Sequence, residues 1–582
     1  MLFNNLTLLA KLPVADWMEN FTTWMTNTFA GLFAAIQSGG QATMDGLTDF
    51  LLFINPWVWI IGITILAFII STRRIGITLF SFFGLLFIYN QGLWSNLMNT
   101  LTLVLLASLV SIIIGVPLGI WAAKSNRAQS VIKPILDFMQ TMPAFVYLIP
   151  AVAFFGIGVV PGVFSSVIFA LPPTVRMTDL GIRGVSTELI EAADSFGSSA
   201  WQKLIKVELP MAKNTILAGV NQTLMLALSM VVTASMIGAP GLGRGVLSAL
   251  QRAQVGNGFV NGLALVILAI IIDRFTQYAN ERLSLASVMS EQQKKRRKQI
   301  RWITVGAAVL ALIGVGVAQA ATKGNTKAQE TVNLSYVQWD SEVASTNVVG
   351  EVLRQMGYDV KLTALDNAVM WQSVGSGESD GMVSAWLPVT HKEQYDKYKS
   401  KVQDLGVNLK GVKVGLVVPS YMKVDSIADL TNEAGKTVTG IEPGAGVVSA
   451  AQSTVKAYDN LAGWQVSTSS TGAMAVALGK AIKEHKPLVI TGWSPHWMFS
   501  KYDLKYLKDP KGAMGKSESI HTIARQGLKD DMPEVYKVLD NFHWTQKDME
   551  EVMLEINGGA SPRKAAQNWI KSHKDEVAEW QK

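Results

Sequence analysis

Cysteine is absent from the 582-residue chain, so disulfides and thiolate chemistry are excluded and any exported part has to be stable without bridges. Charge is scarce too: Asp, Glu, Lys and Arg make up 16% of the residues, against a usual ~25%. The shortage is uneven. Residues 1–302 carry 21 Lys+Arg and 13 Asp+Glu, a net +8, whereas residues 303–582 carry 30 and 31, a net −1. A wholly soluble enzyme does not fit that first half. Nor does a nucleic-acid binder, because the basic excess is small and sits largely in one run beside an apolar segment. No metal-ligand cluster or nucleophile–base signature stands out, so neither a catalytic residue nor a metal is assigned. A phosphate-binding loop is missing as well. Gly515-Lys516-Ser517 has Pro510 where the motif needs its first glycine, and reads as a surface turn.

Long apolar runs are abundant. Eight segments approach the ~20 residues a bilayer span requires: 54–72, 75–91, 96–122, 133–155, 159–175, 214–238, 258–276 and 302–320. The fifth is the weakest, because Pro172 and Pro173 interrupt it. Basic residues collect in alternate loops: Arg73 and Arg74; Lys124, Arg127 and Lys133; Arg176, Arg183, Lys203, Lys206 and Lys213; and the run Lys294 to Arg301. The positive-inside bias places these loops in the cytoplasm, and the N-terminus and everything after 320 outside a cell membrane. Within residues 1–50, Trp17, Phe21, Trp24, Met25, Phe29, Leu32 and Phe33 recur at helical spacing, as in an amphipathic helix lying in the interface or packed on its own bundle. A transmembrane domain is expected over 51–282. Residues 283–321 combine a basic stretch, an apolar core (303–317) and Ala318-Gln319-Ala320, a secretory-signal pattern placed mid-chain. It is expected to act as an anchor helix, and cleavage after Ala320 is compatible with it. Residues 322–331 are polar and linker-like, and 332–582 form a soluble domain.

Between the fifth and sixth spans, residues 187–210 contain Glu188-Leu-Ile-Glu191-Ala192-Ala193-Asp194-Ser-Phe-Gly197 and end in Val207-Glu208-Leu209-Pro210. The stretch predicts a short amphipathic helix, a bend at Gly197, and a second helix stopped before Pro210. It resembles the EAA loop of ABC-importer permeases, with Val207 where that pattern usually has Ile. The resemblance implies an all-α, type I importer permease. It also implies that Glu191, Ala192, Ala193 and Gly197 lie on a helix that docks on a separate ATPase, which holds the ATP and Mg.

The soluble part divides into two similar pieces. Each runs strand, helix, strand, helix, strand, and ends in Trp-x-Pro: Trp386-Leu-Pro388 in the first and Trp493-Ser-Pro495 in the second. The alternation predicts two α/β lobes with parallel sheets, as in periplasmic binding proteins, with ligand contacts at strand C-termini in the cleft. Trp339, Trp386, Trp493 and Gly440-Ile441 fall there. Cages of indole rings hold quaternary ammonium groups. The turn from Gly440 to Gly446 leads into a helix whose backbone N–H groups suit a carboxylate, and His391 is a candidate donor. Trp371, Trp464, Trp497, Trp544, Trp569 and Trp580 are expected to serve packing.

The soluble part is similar to the glycine betaine-binding proteins of the OpuA type. The stretches that carry the likeness are Tyr336-Val-Gln-Trp339-Asp-Ser-Glu342, Ser384-Ala-Trp386-Leu-Pro388 with His391, Gly440 to Gly446, and Gly492-Trp493-Ser-Pro-His-Trp497. With the permease included, the whole chain resembles the fused permease and substrate-binding subunit of OpuA-type importers. The resemblance implies a prism of Trp339, Trp386 and Trp493 around glycine betaine. Carboxylate contacts would come from the backbone of Gly440 and Ile441 and from His391. It further implies two copies of this chain with two ATPase subunits, taking up the osmolyte under hyperosmotic stress. Proline betaine, carnitine or choline would be alternative substrates, and a non-transporting sensor an alternative class.

Overall fold

The computed structural model describes residues 12–71, 74–251, 254–285, 330–515 and 517–582. Arg73, Lys516, the basic run 294–301, the expected anchor 302–320 with the Ala320 site, and all but the last two residues of the linker 322–331 lie outside the described residues. By contacts the described residues form two compact units, 12–242 with 264–285, and 243–263 with 330–582.

The first unit is helical. Among the described residues four helices are long and apolar enough to cross a membrane: Trp94–Lys124, Val159–Arg183, the run Ala200–Ser235, and Val255–Glu281. Two bent pairs raise the number to 6 if each counts as one span: Ala30–Phe53 with Pro56–Ile70, bent by 89°, and Asn126–Thr141 with Ala144–Phe155, bent by 106°. The expected span 133–155 is therefore a broken element, interrupted at Met142-Pro143. Proline has no N–H to continue a helix and pushes its predecessor into an extended conformation; Met142 has ψ 134°. At Asn55 the chain restarts cleanly: its side chain accepts from Trp57 N at 3.0 Å, with Pro56 in the first turn.

Two proline expectations are corrected. Pro172 and Pro173 do not break their segment, which runs unbroken from Val159 to Arg183 with both prolines buried. A neighbouring helix supplies polar partners at this point: Thr223 Oγ1 donates to Ala170 O at 2.8 Å and lies 2.7 Å from Thr174 Oγ1. Nor does the second helix of the 187–210 loop stop at Pro210. A π turn over Leu204–Glu208 widens the helix just ahead, and Pro210 occupies the first turn of the continuing Leu209–Ser235 helix, where a missing N–H is tolerated. Close helix approach depends on small residues, as at Gly119, where an added Cβ would come within 2.7 Å of Val175 O.

Near the N-terminus, Val14–Thr28 buries nothing, and Trp17, Phe21 and Trp24 are exposed. Beyond the kink at Phe29 the pattern changes: Phe33 stacks on Phe154 at 4.8 Å.

The second unit carries nine strands: β1 Thr331–Tyr336, β2 Asp359–Ala364, β3 Gly381–Leu387, β4 Val402–Pro419, β5 Thr437–Thr439, β6 Gln465–Ser467, β7 Val489–Ser494, β8 Leu504–Tyr506 and β9 Glu518–Arg525. They are ordered β2-β1-β3-β9-β4-β7-β5-β6, with β8 on β4. Lobe one is built on the parallel trio β2-β1-β3, and lobe two on the parallel trio β6-β5-β7. The sheets are mixed rather than parallel, because β9 pairs antiparallel with β3, and β4 antiparallel with β9 and β7. The 18-residue β4 runs through both lobes: Val402–Val412 pair with β9, and Lys413–Val417 with β7. Its Gly406, Lys410 and Gly411 disguise it in the sequence. Helices Pro533–Asn541 to Lys574–Trp580 return to lobe one, where Trp569 and Trp580 stack in the packing role expected for them.

Candidate functional site

β1, β3, β5 and β7 end at one cleft, which places their following residues around a small cavity. Trp339 caps the helix that follows β1, Trp386 ends β3, and Trp493 ends β7. All three rings line the cavity, together with Ser341 and Thr390 from lobe one and Ile441, Ala445, Gly446 and Val447 from lobe two. The three indoles are almost wholly buried in this closed arrangement, at 7%, 3% and 4% exposure. The wall is mostly ring and aliphatic carbon, which suits a ligand with an apolar, methylated cationic end. The peptide bonds Leu387–Pro388 and Ser494–Pro495 are both cis.

Backbone donors collect on one side. The helix Gly446–Ala457 begins at the cavity, and its first turn carries orphan N–H groups aimed along the positive end of the dipole. Gly446 is required there: an added Cβ would lie 2.1 Å from Thr390 O of the other lobe. Thr390 is itself held by Glu518 of β9, whose Oε1 accepts from the N–H groups of Val389 (2.8 Å) and Thr390 (2.7 Å). Among the expected backbone contacts, Ile441 faces the cavity but Gly440 does not. The Gly440 N–H donates to Ser467 O at 2.8 Å as β5 meets β6, so the sheet has already engaged it. This corrects its assignment as a ligand donor; its neighbours Ile441, Gly446 and Val447 are the better-placed backbone.

His391 sits behind the cage rather than on its surface. Its ring stacks on Trp339 at 5.7 Å and meets the edge of Trp371 at 5.8 Å. Its Nδ1 accepts from the Trp386 N–H at 3.1 Å, which leaves the proton on Nε2, and Nε2 has no partner among the described residues. Complete burial lowers its pKa to about 3, so the ring is a neutral donor. Carboxylates cluster nearby. Burial, aided by Glu442, raises Asp366 to about 6, and burial holds Glu342 well above the usual carboxylate range. Glu342 Oε2 accepts from Val337 N at 2.7 Å, bracing the turn that leads into Trp339. Trp497, expected to be packing, instead donates from Nε1 to Asp340 Oδ2 at 2.7 Å. Its Trp-to-Asp pairing across 157 residues has no local sequence signal.

In the helical unit, Glu191, Ala192 and Ala193 lie on the short helix Thr187–Ser195, which buries no residue. It ends in a Schellman turn: Ser198 N donates to Ala193 O at 3.0 Å and Gly197 N to Asp194 O at 2.9 Å. Gly197 has φ +74°, the left-handed conformation such a turn needs. Lys203 Nζ closes the corner on Asp194 at 2.7 Å, and Phe196 (91% exposed) and Trp201 (69%) project outward.

Residues 330–572 match the family described as the substrate binding domain of the ABC-type glycine betaine transport system, OpuAC, and residues 115–285 match the binding-protein-dependent transport system inner membrane component. The chain is 56% identical over 273 residues to the glycine betaine/carnitine transport permease protein GbuB of Listeria monocytogenes, covering 47% of this chain and 96% of that protein. It is 52% identical over 269 residues to the glycine betaine transport system permease protein OpuAB of Bacillus subtilis, covering 46% and 95%. On the soluble side, the glycine betaine/carnitine transport binding protein GbuC of Listeria monocytogenes is 53% identical over 160 residues, 27% of this chain and 52% of that one. A solved structure of lactococcal OpuAC, closed and complexed with glycine betaine, is 64% identical, with a TM-score of 0.43 over 44% of this chain and 100% of that one. The chain therefore belongs to the multi-pass permeases of binding-protein-dependent ABC importers, with an OpuAC-type substrate-binding domain fused to the permease.

Proposed function

We propose that this chain is the permease and substrate-binding subunit of an ATP-driven importer of glycine betaine. The observation that carries the reading is the single cavity in which Trp339, Trp386 and Trp493 face backbone donors at a helix N-terminus. A trimethylammonium group cannot donate a hydrogen bond, so ring faces are its natural partners. At about 1–2 kcal/mol per desolvated ring, three rings supply roughly 3–6 kcal/mol. The carboxylate of the same ligand takes the N–H groups of Ile441, Gly446 and Val447, each a charge-assisted bond, while His391 supports Trp339 and the Trp386 N–H from behind the cage. With association costs set against these terms, micromolar affinity (about −8 kcal/mol) is the expected scale. Choline lacks the carboxylate and leaves those donors unmet, which the cavity disfavours.

The exposed helix with Glu191, Ala192 and Ala193, bent at Gly197, is the surface on which a separate ATPase docks, with Phe196 and Trp201 at its edge. ATP and Mg belong to that partner, and no cofactor belongs to this chain. Two copies of this chain and two ATPases form the working unit. The basic loops set the docking helix in the cytoplasm and the two-lobed domain outside the cell. Uptake of labelled glycine betaine into proteoliposomes holding the full chain and its ATPase tests the reading. ATP-dependent accumulation is expected. Ligand binding without accumulation, unaffected by a bulky residue at Gly197, would favour a sensor.

A further inference from the structure

Two carboxylates tie the cage together across the cleft, and each does so from the lobe opposite the ring it serves. Glu442, in the lobe-two turn after β5, accepts from the indole N–H of Trp339, a lobe-one cage wall. The other oxygen of Glu442 is anchored in its own lobe by the hydroxyl (3.1 Å) and N–H (3.3 Å) of Thr471. Asp340, next to Trp339 in lobe one, faces lobe two. Its Oδ2 accepts from Trp497 Nε1 at 2.7 Å and lies 3.2 Å from His496 Nε2. His496 in turn meets the ring of Trp493, the lobe-two cage wall, edge-on at 4.6 Å, and its Nδ1 accepts from Met498 N at 3.2 Å, so its Nε2 contact with Asp340 is one of proximity rather than an aligned hydrogen bond.

We infer that Glu442 and Asp340 are positioning residues that cross-brace the cage: each holds the opposite lobe's indole wall in place, and does so only when the lobes have closed. The cage walls and the clasp are then one structure. A ligand that aligns Trp339 and Trp493 completes the clasp, and the clasp keeps those rings from swinging off the ligand. Indole donation to a carboxylate also enriches the Trp339 ring in electron density, which favours a cation at its face. The brace therefore acts on the escape of the ligand, whereas its entry into the open cleft is left alone.

This inference rests on the reading above, that the cavity takes a betaine. The test is stopped-flow tryptophan fluorescence with glycine betaine on the full chain in lipid nanodiscs, alongside thermal melting with and without the ligand. Asp340→Ala, Glu442→Ala and Trp497→Phe, which keeps an aromatic ring but loses the donor, are each expected to raise the dissociation rate roughly tenfold or more, the scale of a hydrogen bond to a charged group. Association should stay within about threefold, as is usual among variants of one site. Asp340→Asn and Glu442→Gln keep an acceptor and should recover most of the loss. Asp340→Ala combined with Trp497→Phe should cost little more than Asp340→Ala alone, because the carboxylate's loss already removes the Trp497 bond. The ligand-free melting point should not move. Dissociation at the unaltered rate in the Ala and Phe variants, or an equal fall of the ligand-free and liganded melting points, overturns the brace and leaves the betaine reading standing. Failure of the unaltered chain to bind glycine betaine overturns both.

Discussion

At the level of single side chains, the cavity separates what the ligand touches from what holds the touching groups. Trp386 has a buried indole N–H without a partner among the described residues and a face on the cavity, so on the proposed reading its ring would act by packing and charge–quadrupole attraction. Trp386→Ala should weaken glycine betaine binding by about 1–2 kcal/mol or more, roughly 5- to 30-fold, as read by calorimetry. Gly446→Val should abolish binding while leaving the ligand-free melting point unchanged, because its Cβ lies 2.1 Å from Thr390 O only when the two lobes meet. Asp366 gives a pH signature. Its pKa is raised from 3.8 to about 6 by burial and by Glu442, so the folded form holds a proton that the unfolded form has lost between those values. Stability at this site is complete below pH ~4 and falls as pH rises towards 6, by about 3 kcal/mol at neutral pH. Asp366→Asn should therefore raise the melting point at pH 7.5 and leave it nearly unchanged at pH 4. The buried neutral His391, with its pKa lowered to about 3, pulls the other way on acidification, so the comparison has to be made between variants at one pH.

Among helices and strands, those whose pattern is local were legible in the sequence. The Trp94–Lys124 helix, the short 187–195 helix with its glycine turn, and the two βαβ trios all follow from hydrophobic period and turn chemistry. Elements governed by tertiary partners were not. Pro172 and Pro173 signal a break locally, yet they sit buried inside the continuous Val159–Arg183 helix, packed by neighbouring helices that a local pattern does not show. β4 escapes a local pattern because three register shifts, near Gly406, Asn408 and Gly411, suppress alternation, although its pairing with β7 and β9 is what couples the lobes. That Trp339, Trp386, Trp493 and Ile441 share one cavity is legible from their places at strand ends. The engagement of Gly440 by Ser467, and the roles of Glu442, Asp340 and Trp497, depend on cross-cleft geometry. Gly197→Val should strain the φ +74° turn by about 1–3 kcal/mol. ATP-driven uptake should fall sharply with ligand affinity unchanged, measured as transport and binding on the same preparation.

For the molecule as a whole, charge distribution already separated an apolar permease from a soluble domain, and the fusion makes the binding step and the translocation step properties of one chain. The account stands on the claim that three indole walls and a helix N-terminus recognise the two ends of one zwitterion. Equilibrium binding of glycine betaine and choline to the full chain, unaltered and with Trp386→Ala, tests that claim directly. The account predicts micromolar affinity for glycine betaine, much weaker binding of choline, and a loss on removing the Trp386 ring. Unchanged glycine betaine affinity in Trp386→Ala, or equal affinity for the two solutes, would contradict it.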